Sequence, residues 1–241
     1  MSESWQSGRV IENRHWTETL FSLRVEGAAL GFRAGQFVRI ALDIDGQRVA
    51  RAFSFVNPPH DPVLEFYGVI VPGGPLSPRL ARLAPGDTLY VARNPAGFLV
   101  LDEVPPAETL WLVATGTGLA PFLSILRTDE PWRRFRKVVL VHAVRYGAEL
   151  TYRELIAATN AHYVTFVSRE AHAGSLAGRI PAALRDGRLE TAAGVAIDER
   201  SHFMLCGNPQ MLRDTTAALA ERGLRKHRRR APGHISVESF W

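Results

Sequence analysis

Residues 109–126 read TLWLVATGTGLAPFLSIL. The first seven are apolar with no alternation, the pattern of a strand covered on both faces of a parallel sheet. Two glycines follow, Gly116 and Gly118, and then LAPFLSIL, an apolar run of helical length. Strand, glycine turn and helix in that order open a doubly wound α/β unit. The glycines let a ligand approach the backbone, and amides at a helix start favour a phosphate. A tight strand-to-helix turn with no ligand has the same letters; its place on the first strand of an α/β unit favours the ligand.

Downstream of this stretch, strand and helix patterns alternate. KVVLVHAV (137–144), HYVTFVS (162–168) and HFMLCG (202–207) read as strands, and LTYRELIAAT (150–159) and MLRDTTAALAERG (211–223) as helices. Upstream the character differs. GRVIEN, TLFSLRVE, GQFVRIALDI, VARAFSFV, LEFYGVIV and DTLYVAR are short alternating runs, separated by the turn signals EGA, DGQ, NPP, PGG and APGD. Six such strands predict a small antiparallel barrel or sandwich. The one helix candidate among them is LSPRLARLAPG (76–86), closed by Pro85 and Gly86. Pro105 and Pro106 mark the change of character, so the expected domains are 1–102 and 103–241.

The chain has 241 residues, 46% hydrophobic and 22% charged, which describes an ordinary globular protein. No apolar stretch is long enough to span a bilayer, and MSESWQSGRV lacks a basic-then-apolar leader pattern, so a cytoplasmic protein is expected. The single cysteine, Cys206, excludes an internal disulfide and a multi-cysteine metal site. A formal net charge of +5, with RRFRK at 133–137 and KHRRR at 226–230, favours anionic partners. Nucleic acid is one such partner, but no groove-reading element accompanies the charge.

Several residues carry candidate chemistry. In RAFS (51–54), Arg51 and Ser54 stand among aromatics on a strand, which by itself suits either a ligand or a solvated arginine. Ser168 and Arg169 follow a strand, and Arg179 lies ten residues beyond Arg169; they form either a phosphate site or a surface pair. Cys206 ends a strand in CGNP, at the edge where such sheets bind ligands.

RAFS, GPLS (74–77), ATGTGLAP (114–121), SRE (168–170), CGNP (206–209) and the terminal ESFW (238–241) occur in that order. Together they resemble the ferredoxin–NADP reductases, specifically the bacterial flavodoxin/ferredoxin–NADP reductases. The resemblance covers nearly the whole chain, including the IDGQRVARAFS lead-in and the HRRRAPGH before the terminus. It implies an FAD-binding six-stranded antiparallel barrel followed by a Rossmann-like NADP-binding domain. It also implies a tightly but non-covalently bound FAD, NADP(H) as substrate, no metal, and an acidic ferredoxin or flavodoxin as partner of a monomer.

Residue by residue, the resemblance places Arg51 on the FAD pyrophosphate, Ser54 at flavin N5 and Phe53 against the ring, with Ala52 between them. Phe53 stands where the family commonly has tyrosine, so stacking is kept and a phenolic hydrogen bond is lost. Further FAD contacts are implied at Tyr67, Gly68, Val69 and Ile70, and at Pro75, Leu76 and Ser77. Thr117 would approach the flavin, Phe240 would cover its other face and move aside for nicotinamide, and Trp241 would stack on the adenine. For NADP the implied residues are Gly116, Gly118, Arg145, Tyr146, Ser168, Arg169, Arg179, Cys206 and Gly207. Cys206 would shape the nicotinamide pocket without acting as a nucleophile. Glu238 is either a proton relay or a surface carboxylate. Apart from the resemblance, some of Arg225, Lys226, Arg228, Arg229 and Arg230 are expected to contact the carrier, because they lie close in sequence to the terminus. A free-flavin reductase or an oxygenase reductase component shares the layout. The Trp241 contact argues against the first, and the lack of a cysteine cluster against a fused iron–sulfur domain.

Overall fold

The structure, a computed structural model, describes residues 4–239; the expected site residues Phe240 and Trp241 lie outside them. Two compact units are resolved by their internal contacts, residues 1–100 with 120–127, and residues 101–119 with 128–241.

In the first unit all six expected strands form: β1 (Trp5–His15), β2 (Leu20–Glu26), β3 (Phe37–Ile44), β4 (Gln47–Ser54), β5 (Leu64–Val69) and β6 (Thr88–Ala92). They make one antiparallel sheet in the order β4-β3-β6-β1-β2-β5. The sheet curls until its ends meet at the Phe55–Phe66 bridge, where Val56 N–H donates to the Glu65 carbonyl over 2.9 Å. Val10, Phe21, Leu23, Val25, Val38, Ile40, Leu64, Phe66, Leu89 and Val91 fill the interior. The expected helix at 76–86 is a single turn, α1 (Ser77–Leu80), because the chain turns back at Leu83 and Pro85 to enter β6.

The helix that follows the glycine turn, α2 (Ala120–Leu126), groups with this first unit. Ser124 Oγ donates to the Asn57 carbonyl at 2.7 Å, and Arg127 forms ion pairs with Asp61 and Glu65, both at 3.5 Å. Asn57 is itself fully buried and braces the segment after β4 by accepting from Glu65 N–H.

The second unit contains β7 (Thr109–Thr115), α3 (Glu130–Arg134), β8 (Lys137–Val144), α4 (Arg153–Ala157), β9 (His162–Val167), β10 (Leu176–Ala177), α5 (Ile180–Arg185), α6 (Arg188–Ala193), β11 (Ser201–Gly207), α7 (Pro209–Ala220) and β12 (Ile235–Ser239). Its sheet is parallel throughout, in the order β10-β9-β8-β7-β11-β12. Chain direction across the sheet reverses between β7 and β11, so the topological switch point lies where β7 ends in the glycine turn. The helices α5, α6 and α7 pack with Trp111, Val113, Val139, Val141, Phe203 and Leu205 in one core. Sequence periodicity missed β10, α3, α5, α6 and β12. β10 has two residues and the three helices five or six each, too short for a period to show. β12 follows the basic HRRRAPGH segment and is half-exposed. The helix expected at 150–159 shrinks to α4, whose N-cap Tyr152 sits at φ +56°.

Candidate functional site

In the first unit the register of β4 on β3 explains the odd composition of RAFS. Phe53 lies opposite Val38 and Arg51 opposite Ile40, so both side chains share the parity of the barrel interior. Arg51 is nevertheless exposed and Phe53 only half-buried. Among the described residues Arg51 pairs with no carboxylate; its guanidinium donates to the neighbouring Ala50 carbonyl at 2.7 Å. Ser54 is 2% exposed, and its Oγ has no hydrogen-bond partner. A buried hydroxyl left unsatisfied costs about 1–3 kcal/mol. An uncommitted cation, a partly open aromatic ring and an orphaned hydroxyl within four residues fit a large, flat, anionic ligand.

The strand across the barrel supports this arrangement. A Cβ added at Gly68 would lie 2.8 Å from Phe21 Cζ and 3.0 Å from Phe53 Cε1, so glycine leaves room for the Phe53 ring. Tyr67 is buried, and Val69 and Ile70 are half-buried beside it. Leu76 belongs to the core and Pro75 is exposed. Ser77 does not use its hydroxyl to cap α1; the Oγ accepts from Val71 N–H at 2.9 Å and closes the 71–77 turn. Its expected role therefore rests on backbone alone, and one helical turn carries little dipole.

In the second unit the candidate residues follow one another along the carboxyl edge of the sheet. Gly116 and Gly118 follow β7, Arg145 and Tyr146 follow β8, and Ser168 and Arg169 follow β9. β10 pairs Ala177 with Val167, which brings Arg179 to the same edge as Ser168. Cys206 and Gly207 end β11, and Glu238 lies opposite Cys206 on β12. From β9 to β11 is three strand spacings, about 14 Å, a span that an extended dinucleotide covers.

The glycine turn and the CGN turn interlock. A Cβ on Gly118 would lie 2.5 Å from the Cys206 carbonyl oxygen, and one on Gly207 2.3 Å from Thr115 Oγ1. Gly207 also sits at φ +131°, outside the reach of other residues. Thr115 Oγ1 accepts from Asn208 N–H at 2.9 Å, and Asn208 Oδ1 caps α7 by accepting from Gln210 and Met211 N–H. Thr117 is buried in the turn. Thr115 and Asn208 were missed by sequence reasoning, although Asn before Pro at a helix start is a recognisable cap signal.

At the other end, Ser168 Oγ donates to the Val144 carbonyl and Arg169 N–H to the Arg145 carbonyl, so the β8 and β9 loops run together. Glu149 accepts from the Arg145 and Tyr146 amides, and Glu170 from the Gly147 amide. Arg169 Cζ lies 6.0 Å from the Tyr146 ring centroid. Arg145, Arg169 and Arg179 are exposed, and among the described residues none pairs with a carboxylate. Three arginines at the strand edge that carries Ser168 suit a phosphate.

The electrostatics of the β11–β12 end differ. Burial, and then the nearby Glu238 carboxylate, pushes the Cys206 thiol well above its ordinary value, so it stays a neutral thiol. Glu238 Oε1 is shielded and without a partner, and burial raises this carboxyl to about 7. Glu238 is thus no ordinary surface carboxylate. Arg229 proves committed: its guanidinium pairs with Glu103 at 2.9 and 2.5 Å, which removes it from the free basic cluster. Arg225, Lys226, Arg228 and Arg230 remain exposed. Among the described residues no cluster of ligating side chains could hold a metal, and no helix is long and apolar enough to cross a membrane.

Comparison with known proteins finds a separate match for each stretch of the chain. Residues 11–99 match an oxidoreductase FAD-binding domain, and residues 112–217 an oxidoreductase NAD-binding domain. The flavodoxin/ferredoxin–NADP reductase of Escherichia coli K12 is 52% identical, covering 98% of this chain and 99% of the relative. The ferredoxin–NADP reductase of Pseudomonas aeruginosa is 38% identical over 95% of each. A crystal structure of a ferredoxin NADP+ reductase from Neisseria gonorrhoeae with bound FAD and NADP superposes with a TM-score of 0.94 at 33% identity. That match covers 98% of this chain and 99% of the other. An antiparallel flavin-type barrel, a parallel sheet with its switch point at a glycine turn, and identity sustained over the full length place this chain in the flavodoxin/ferredoxin–NADP reductase family.

Proposed function

We propose that this chain is an FAD-dependent oxidoreductase that moves electrons between NADPH and a ferredoxin or flavodoxin. Its family and its structural neighbour support the reading. The observation that carries it is the orphaned, buried Ser54 hydroxyl three residues from an arginine that pairs with no carboxylate among the described residues. Bound FAD supplies the link between two-electron hydride chemistry and one-electron transfer.

This chain's own residues supply position and charge. Residues 1–102 are proposed as the FAD domain and 103–241 as the NADP domain. Arg51 binds the pyrophosphate, Phe53 stacks on the ring and Ser54 offers its hydroxyl at N5. Ala52, the 67–70 segment, Pro75, Leu76 and the Ser77 backbone complete the cradle; Thr117, Phe240 and Trp241 are the remaining proposed FAD residues, the last two outside the described residues. Gly116, Gly118 and Gly207 give backbone access to the dinucleotide, while Ser168, Arg169 and Arg179 hold its 2′-phosphate beside Arg145 and Tyr146. Cys206 shapes the nicotinamide end as a neutral thiol. Glu238, raised to about 7 by burial, holds a proton at its carboxyl near neutral pH.

Purified protein with a flavin spectrum, reduced faster by NADPH than by NADH in stopped flow and then reoxidised by flavodoxin or ferredoxin, is the expected outcome. A colourless protein that takes up no FAD sinks the reading. Carrier reduction that falls with ionic strength, less steeply when Arg225, Lys226, Arg228 and Arg230 are neutralised, tests the acidic-partner surface. A cytoplasmic monomer completes the proposal; cell fractionation and light scattering check it.

A further inference from the structure

His142 is a polar residue in an otherwise apolar strand, and none of its surface reaches solvent. It lies near the carboxyl end of β8, one strand from the glycine turn. Its Nε2 is 3.3 Å from the Gly116 carbonyl oxygen and its Nδ1 is 3.2 Å from the Tyr163 hydroxyl on β9. A carbonyl oxygen only accepts, so Nε2 carries the ring hydrogen. Burial holds the imidazole at about 4, so it has only that one hydrogen at neutral pH. Nδ1 is then an acceptor, and the Tyr163 hydroxyl must donate to it. Burial also pushes the Tyr163 phenol upward, so that hydrogen stays available.

The consequence falls on the peptide between Gly116 and Thr117. In a trans peptide the C=O and the following N–H point in opposite directions, and no peptide bond among the described residues is cis. With the Gly116 carbonyl drawn to His142, the Thr117 N–H is turned away from that ring. Gly116 has φ +51°, a region from which glycine rotates at little steric cost. A glycine turn therefore needs a latch, since a flipped peptide would present oxygen where an anion binds. On its other side the turn is held by the close approach of Gly118 to the Cys206 carbonyl.

We propose that Tyr163 and His142 form a relay that latches the 116–117 peptide in its anion-accepting orientation, making both of them positioning residues for the dinucleotide pyrophosphate. The inference rests on the reading that NADP(H) occupies this edge. It assigns a reason for a histidine and a tyrosine that the direct contacts leave unused.

The test compares the holoenzyme with Tyr163→Phe and His142→Leu, using NADP+ and adenosine 2′-monophosphate as probes. The second probe engages only the Ser168–Arg169–Arg179 end. Tyr163→Phe is expected to raise the Kd for NADP+ about 3- to 10-fold, with His142→Leu at or above the top of that range. Binding of adenosine 2′-monophosphate stays within about twofold, as expected when no contact to it is lost. Nitrogen-15 NMR of the His142 ring should show a single Nε2–H tautomer in the wild type and a mixture in Tyr163→Phe. Unchanged NADP+ affinity in both variants overturns the relay, as does an equal loss for both probes or a wild-type ring protonated on Nδ1. A wild type that binds no NADP+ overturns the functional reading and this inference with it.

Discussion

At the level of single residues, the proposed preference for NADPH rests on guanidiniums that pair with no carboxylate among the described residues. Arg169 is exposed, close to the Tyr146 ring, and tied by its own amide to Arg145. Its side chain is therefore free to meet a 2′-phosphate, whereas Arg229 is spent on Glu103. A charged hydrogen bond is worth about 1.5–3 kcal/mol, so Arg169→Ala should raise the KM for NADPH about 10- to 100-fold. The KM for NADH, which has no 2′-phosphate, should hardly move. Steady-state kinetics with both nucleotides decide it, and equal losses would remove Arg169 from the phosphate site.

Individual elements matter through how their ends meet. β7 and β11 are neighbours, and the turns that leave them share space that no side chain can enter. A Cβ at Gly118 would stand 2.5 Å from the Cys206 carbonyl oxygen and 2.8 Å from Gly207 Cα, both of them backbone atoms. Backbone cannot swing aside as a flexible side chain does, so Gly118→Ala must displace one turn. The expected result is a loss of NADP+ affinity of about tenfold or more, because a shift of an ångström spoils aligned contacts. Flavin absorbance should be largely retained, since Arg51, Phe53 and Ser54 lie on β4, away in sequence from the displaced turn; isothermal titration and a visible spectrum check the two effects.

Across the whole molecule, acid stability is set by groups that folding keeps in an unusual protonation state. Burial holds His142 at about 4 and His202 at about 3, so both stay neutral in the folded protein while the unfolded chain takes up protons below about 6.5. Their contribution is complete at neutral pH and is lost as pH falls from about 6.5. Glu238 acts in the opposite sense. Its folded value of about 7 exceeds the unfolded one near 4.5, so its contribution is present below about 4.5 and lost as pH rises through 7. Between pH 7 and 4.5 the two histidines cost about 5 kcal/mol and Glu238 returns about 3. Urea-unfolding free energies for the second unit should therefore fall modestly on acidification in the wild type and more steeply in Glu238→Gln. Parallel pH profiles for the two proteins would contradict this account.

Period and punctuation in the sequence determined the two architectures. Alternating runs between turn signals specify six antiparallel strands, and unbroken apolar runs followed by helices specify a parallel sheet, because side-chain direction follows local backbone geometry. Ordered motifs such as RAFS and CGNP named most of the candidate site. Tertiary structure alone decided the rest. Register put Arg51 on the interior face of the barrel opposite Ile40, and the two-residue β10 carried Arg179 to the edge that holds Ser168. His142 met Gly116, Glu238 met Cys206, and Arg229 was withdrawn to Glu103. Each of these joins residues 26 to 126 positions apart, or 32 along paired strands. Local pattern cannot encode such contacts, because which distant groups meet depends on strand order and on the burial that shifts their charge.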